Sequence, residues 1–358
     1  MLMDVRTRET PSNTRDKWGF MGMSKHKSWF LLLPVFLCFW FLRFDSIQTG
    51  SVNAASENTI KVYSVLPEDL TRALLSEYQE KTKTKFAYKF ADKGQTISAD
   101  GEGFDLIIAP RETMIKLSSD GKLLKQDSHK ENLPTALQDA EGYWTSVCYD
   151  PYVFLVNYAY SRRVGQKNLL SWKDIAKQND IVISMEELSG TPEMRYFLTA
   201  LASKQGEEDT FSFLKNINRK IPQYAKFAIS PIRLTTIGEA DLAITSRNKV
   251  IKYIENDFPA YIVEPSEGFP AQVFAAGIGK ASVKKESCEK IISWLVNAED
   301  VIIVTEKLGY GYLFISQNKF ENEVNRESLL WVNDKYLNDE KRTELVEKWL
   351  QNVRFADK

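Results

Sequence analysis

The segment Trp144 to Asn157, WTSVCYDPYVFLVN, limits the possible folds more than any other part of this chain. It is rich in aromatic and β-branched residues, which fit a pleated, buried strand. Ordinary strands run about five or six residues, so the run is too long for one, and Pro151 interrupts it where a ladder donor is missing. A segment of that length suits a chain leaving one packed unit and entering another. Gln272 to Gly277, QVFAAG, is a second apolar extended segment able to bring the chain back. Two domains also agree with a length of 358 residues, since one domain takes about 150.

From Ile60 onward, short apolar runs alternate with amphipathic stretches, which is the pattern of an α/β protein. Ile60 to Ser64 reads as a first strand and Pro67 to Glu80 as a helix with Leu70, Leu74 and Tyr78 along one stripe. Lys85 to Phe90 and Phe104 to Ala109 complete a β-α-β unit. Further strands are expected at 180–185, 240–245 and 260–263, and helices at 191–204, 209–218, 284–297, 298–307, 326–331 and 339–353. Open parallel sheets bind ligands beyond the carboxyl ends of their strands. Ser64, Val65, Pro110 and Arg111 therefore fall on candidate binding loops.

Composition removes several function classes. With 43% apolar and 27% charged residues the chain has ample core material, and its net charge of -1 offers no cationic face for a phosphate backbone, so nucleic acid is not an expected partner. Two histidines and no C-x-x-C or H-E-x-x-H spacing leave the usual zinc and redox sites without ligands, and no cofactor is implied. A nucleophile with its base, or a pair of catalytic carboxylates, cannot be assembled from the residues either, so the chain does not read as an enzyme.

Trp29 to Leu42, WFLLLPVFLCFWFL, is an apolar run behind Lys25, His26 and Lys27. It is shorter than the roughly 20 residues a membrane-crossing helix needs and matches a secretory h-region of about 7 to 15. Val52-Asn53-Ala54 supplies a small-residue cleavage pattern, so residues 1–54 read as an N-terminal extension and signal peptide with the mature chain starting near Ala55. Retention of the run as an anchor is the alternative. Phe36 and Leu37 ahead of Cys38 are not the small residues of a lipoprotein signal. An oxidising compartment would permit a Cys148–Cys288 bridge, whereas the helical spacing of Cys288, Ile291, Ile292 and Leu295 makes Cys288 a core residue.

Ser189-Gly190-Thr191 ahead of a helix is the strongest physical candidate for a binding element, with Thr191 as cap and Pro192 at the first helical position. Free amides and the positive end of the helix dipole favour an anion there. Arg111 and Arg247 each follow a buried strand, and a guanidinium can clamp carboxylate or phosphonate oxygens in two places.

The order of short motifs resembles the extracellular solute-binding proteins of ABC importers, in the iron(III)-type branch of the type 2 periplasmic binding proteins. The pieces are VYS with PEDL at Val62 to Leu70, FDLIIA at Phe104, GYWTSV at Gly142, LSWKDI at Leu170, SGT at Ser189, IGEADLAI at Ile237, VEPSEG at Val263 and FAAGIGKAS at Phe274. The resemblance implies an α/β, two-lobed fold with discontinuous domains joined by two crossing strands. The first lobe would take 55–146 and 272–305, and the second 147–271 and 306–358. It also implies a periplasmic, monomeric protein that closes on a small-molecule solute and delivers it to an inner-membrane ABC permease. Ser64 and Tyr149 join Arg111, Ser189, Gly190, Thr191 and Arg247 as expected ligand contacts on the same grounds, while Glu239 reads as structural. Ferric-binding members place adjacent tyrosines beyond the GE pair; here that stretch is Ser246-Arg247-Asn248-Lys249, cationic and without tyrosine. A small organic anion such as a phosphonate or phosphorylated compound is expected, with ferric iron or a polyamine, or a membrane-anchored sensing ectodomain, as alternatives.

Overall fold

A computed structural model describes residues 59–91, 103–127, 135–254, 258–315 and 329–356. The signal segment, its cleavage site, Cys38 and His129 lie outside the described residues. The first strand, β1 (Thr59–Ser64), leads into helix α1 (Glu68–Thr82), whose first turn carries Glu68 and Asp69, the sign the helix dipole favours. The helix stops at Lys83, which adopts a left-handed conformation (φ 62°) and returns its N–H to the Gln79 carbonyl. Then come β2 (Lys85–Phe90), β3 (Leu106–Pro110), α2 (Arg111–Ser119) and β4 (Leu123–Leu124).

The long segment forms one continuous strand, β5 (Trp144–Asn157). It is followed by α3 (Tyr158–Val164), α4 (Trp172–Lys177), β6 (Ile183–Met185), α5 (Pro192–Gln205), α6 (Glu207–Asn218) and α7 (Ser230–Thr236). After these come β7 (Leu242–Ser246), α8 (Arg247–Tyr253), β8 (Ala260–Val263) and the returning strand β9 (Phe269–Gly279). The chain closes with α9 (Lys285–Asn297), α10 (Glu299–Lys307), β10 (Leu313–Phe314), β11 (Leu330–Trp331) and α11 (Asp339–Trp349). Of the helix expected at 326–331, residues 326–328 lie outside the described residues, and Leu330–Trp331 is instead a strand that pairs in parallel with Phe269 and Pro270. Its apolar run is too short for periodicity to tell strand from helix.

Strand order is β2-β1-β3-β9-β5-β7-β6. The first half of β5 pairs antiparallel with β9, from Trp144 opposite Gly277 to Pro151 opposite Ala271, with a bulge between Ser146 and Cys148. From Tyr152 onward β5 pairs with β7 instead, and from Phe154 with β8. One strand therefore belongs to two sheets, and Pro151 sits at the change of partner. Its missing N–H is tolerated there because the ladder is being handed over.

Each half carries its own core. Val62, Leu70, Leu106, Ile108 and Val273 pack with Ile291 in the first, and Phe154, Trp172, Ile183, Phe197, Ile244 and Trp349 pack in the second. The last part of the chain serves both: Tyr310, Phe314 and Ile315 enter the first core, and Trp331, Leu345 and Trp349 the second. Cys148 and Cys288 are both buried in the first core as free thiols. The bridge does not form, and Cys288 lies on the apolar stripe of α9 with Ile291, Ile292 and Leu295. Burial pushes its thiol up to about 12, which removes the reactive thiolate.

Candidate functional site

The strand registers bring four carboxyl ends to one level. β3 ends at Pro110, opposite Phe274, and lies parallel to β1. β7 ends at Ser246, opposite Tyr152, and lies parallel to β6. Residues 150–152 and 271–274 of the crossing strands thus separate the loops after β1 and β3 from those after β6 and β7.

On the second half, the start of α5 is shaped by its own sequence. Thr191 Oγ1 accepts the Met194 N–H at 3.2 Å, and the Gly190 N–H goes to the Glu187 carbonyl at 3.0 Å. Pro192 has no N–H, and the amides of Thr191 and Glu193 have no partner among the described residues. The Ser189 carbonyl accepts two bonds from Arg195, at 3.1 and 3.2 Å. Gly190 is exposed, and an added Cβ would come to 3.2 Å from the Glu187 carbonyl oxygen. The expected loop is therefore a helix terminus with two open donors.

The remaining expected residues are placed less freely. The Ser64 hydroxyl is buried, pairs with Thr71 Oγ1 at 2.9 Å and receives the Leu66 N–H at 3.2 Å, so it shapes the turn after β1. Tyr149 packs its ring in the first core, between Val273 and Leu313 on the neighbouring strands. Arg111 opens α2 and reaches across to the segment after β11, pairing with Asp334 Oδ1 at 2.8 Å and donating to the Asn333 carbonyl at 3.3 Å. Its Nε is buried without a partner. Arg247 opens α8 and donates to the Gly311 carbonyl at 2.8 Å. Both arginines thus join the two halves.

Several residues at this junction carry no sequence motif. Asp150 accepts the Asn248 N–H at 2.9 Å, and Asn248 Oδ1 in turn accepts the Gly311 N–H at 2.9 Å. Burial raises the Asp150 carboxyl to about 6, against the pull of the Asn248 amide, Ser246, Lys249 and Arg247. Lys252 donates to the Tyr310 hydroxyl at 2.9 Å, which donates to Asp69 at 2.5 Å; that bond, more than Lys252, holds Asp69 below its ordinary value. Glu186, nearly fully buried, pairs with Lys249 at 2.6 Å. On the α2 side, Glu112 is buried beside Arg111 and is pushed up to about 7 by loss of water, opposed by Arg111 and Arg342 and reinforced by Asp334. The tetrapeptide Gly309-Tyr310-Gly311-Tyr312 was the available signal for part of this, since paired glycines and tyrosines in a loop suit a close approach lined by phenols.

Residues 103–340 match the family of bacterial extracellular solute-binding proteins, and the chain belongs to that family. A curated relative, an uncharacterized protein of Haemophilus influenzae, is 26% identical over 197 residues, which is 52% of this chain and 55% of the relative. The chain thus matches about half the length of that relative. Among solved structures, the Mannheimia haemolytica ferric iron-binding protein A in an open conformation superposes with a TM-score of 0.64 at 19% identity, over 84% of this chain and 100% of that one. The periplasmic binding protein AfuA from Actinobacillus pleuropneumoniae, with fructose-6-phosphate bound, gives 0.59 at 16%, over 83% and 99%. A putative extracellular solute-binding protein from Bordetella parapertussis gives 0.66 at 14%, over 83% and 99%. These likenesses establish the two-lobed fold of the type 2 periplasmic binding proteins.

Proposed function

We propose that this protein captures a small organic solute bearing an anionic group in the cleft between its halves, and delivers it to an inner-membrane ABC permease. The observation that carries the reading is the start of α5, where the Thr191 and Glu193 amides are open on a loop facing the crossing strands. Backbone amides and a helix dipole favour negative charge without any titrating group. Arg247, at the opening of α8 on the same half, adds a cation beside the cleft. One structural neighbour is described with a phosphorylated sugar bound, which is a solute of this class.

In this reading the protein works in the periplasm as a monomer and performs no chemistry. The first lobe takes 55–146 and 272–305, joined by the β10 segment that packs with it, and the second takes 147–271 and the chain from β11 onward. Ser189, Gly190 and Thr191 hold the anion, Arg247 strengthens the site, and Arg111 closes the opposite edge. The mature chain begins near Ala55, which intact mass of the exported protein checks.

The test is a thermal-shift screen of phosphate, alkyl phosphates, sugar phosphates, phosphonates, polyamines and ferric citrate, followed by calorimetry. Binding of an organic anion, weakened about tenfold to a hundredfold by Arg247→Ala, supports the reading. Binding of ferric citrate or of polyamines alone, unchanged in Arg247→Ala, refutes it.

A further inference from the structure

The floor of the cleft carries three carboxylates, Asp150, Glu186 and Glu193, which an anion alone would not call for. Tyr152 donates its hydroxyl hydrogen to the Glu193 carbonyl at 2.7 Å, which fixes the first turn of α5 against the crossing strand. Asp150 lies two residues earlier on that strand, so it shares a face with Tyr152. Leu313 pairs with Tyr149, and extending that antiparallel register by one residue sets Tyr312 opposite Asp150. Asp150, Glu193 and Glu186 all act through space on the Tyr152 hydroxyl, and Asp150 and Glu193 act likewise on that of Tyr312.

Three cations belong to the neighbourhood, and all are committed, Arg195 to the Ser189 carbonyl. Lys249 is paired with Glu186 Oε1, and Arg247 donates to the Gly311 carbonyl. Three acceptors are left over. Among the described residues, the exposed Glu193 carboxylate makes no hydrogen bond or ion pair, and the Tyr312 hydroxyl has no partner. Glu186 is 3% exposed, and its Oε2 is buried with no partner at all. A buried carboxylate oxygen without a donor is costly and uncommon in folded proteins. Tyr312 also stacks on Tyr310 with ring centroids 5.9 Å apart, so the wall beside these acceptors is aromatic. Unfilled carboxylate and phenol acceptors beside an aromatic face are what a protonated amine satisfies, through charge-assisted hydrogen bonds and attraction to the ring.

We propose that the solute is zwitterionic: its anionic group sits on the Thr191 and Glu193 amides, and a protonated amine a short linker away is received by Glu193, Tyr312 and the Glu186 side of the cleft floor. This rests on the anion reading given above and narrows it. The amine selects among anions, because a solute lacking it leaves the same acceptors unfilled when the cleft closes.

The experiment uses the full-length protein and matched probe pairs: phosphoethanolamine against ethyl phosphate, 3-aminopropyl phosphate against propyl phosphate, and glucosamine 6-phosphate against glucose 6-phosphate. The expected result is that at least one amine-bearing probe binds about tenfold or more tighter than its partner by calorimetry. That preference, read as the ratio of affinities within each pair, should collapse in Glu193→Gln, an exposed substitution. Equal affinity within every pair overturns the zwitterion proposal and leaves the anion reading standing. A preference that survives Glu193→Gln overturns the assigned amine site. Absence of binding by all six probes, together with binding of putrescine, overturns the zwitterion and the anion reading alike.

Discussion

Gly311 offers a test of how the two halves are held together. A Cβ placed there would lie 2.7 Å from Asn248 Cα and 2.8 Å from the Arg247 carbonyl oxygen, both backbone atoms at the start of α8. Carbon atoms pack at about 3.5 to 4.0 Å, so in Gly311→Ala the loop and the helix must separate by roughly 1 Å. Forcing the methyl into the closed contact costs about 1 to 3 kcal/mol by overpacking. Separation instead sacrifices three bonds that cross this edge, from Arg247 to the Gly311 carbonyl, from the Gly311 N–H to Asn248 and from Lys252 to Tyr310. At about 0.5 to 1.5 kcal/mol each, that sets a ceiling near 1.5 to 4.5 kcal/mol. The expected outcome is a lower urea midpoint, by an amount equivalent to about 1 to 3 kcal/mol, and a larger radius of gyration in small-angle scattering. Arg247→Ala, which removes one bond and inserts nothing, should lose about 1 kcal/mol. If Gly311→Ala kept both the wild-type midpoint and the wild-type radius, the contact at Gly311 would not be what joins the halves.

Three other outcomes are expected. Glu112 has a folded value near 7 against an ordinary 4.5, so its burial costs nothing below pH 4.5 and the protein loses up to about 3 kcal/mol as pH rises through 7; Glu112→Gln should flatten that slope in denaturant titrations between pH 4.5 and 8, and an unchanged slope would rule out Glu112 as its source. Cys148 and Cys288 are buried with raised values, so peptide mapping after treatment with iodoacetamide should find both unmodified in native protein and modified in urea; rapid native labelling of either would contradict their burial. Tyr310→Phe removes the hydroxyl that holds Asp69 down, and the Asp69 carboxyl followed by NMR should titrate at a higher pH than in the wild type; an unmoved titration would mean that the backbone amides and Lys252 set it instead.

The α/β class and the two crossings were legible because they are written in local pattern. Trp144 to Asn157 announces itself by length and by apolar content on both faces, and β5 spans those residues. Thr191 and Pro192 announce the start of α5 through cap chemistry, which needs no distant partner. Arg111 shows where such reasoning stops. Its position after a buried strand was readable, but its commitment to Asp334 depends on a contact between residues 223 positions apart, which no local pattern encodes. Asp150 and Glu186 were invisible for the same reason, since each acquires its meaning from a residue on another element. Cys148 and Cys288 were readable as possible partners, yet both are free in the core, and burial alone accounts for them.

The sharing of β5 between two sheets also dictates when this chain can fold. β3 finds no neighbour on its inner edge until β9 arrives, since Ile107 pairs with Gly277 and Trp144 also pairs with Gly277. Everything up to Asn157 must therefore wait for more than a hundred further residues before the first sheet can close. Contacts so distant in sequence make for slow folding, and they leave the β3 edge open in the meantime. A chain arranged in this way stays unfinished, and prone to pair with other strands, until its returning strand has emerged. Any truncation that ends before Gly279 should consequently yield an aggregating fragment in place of an independent first lobe.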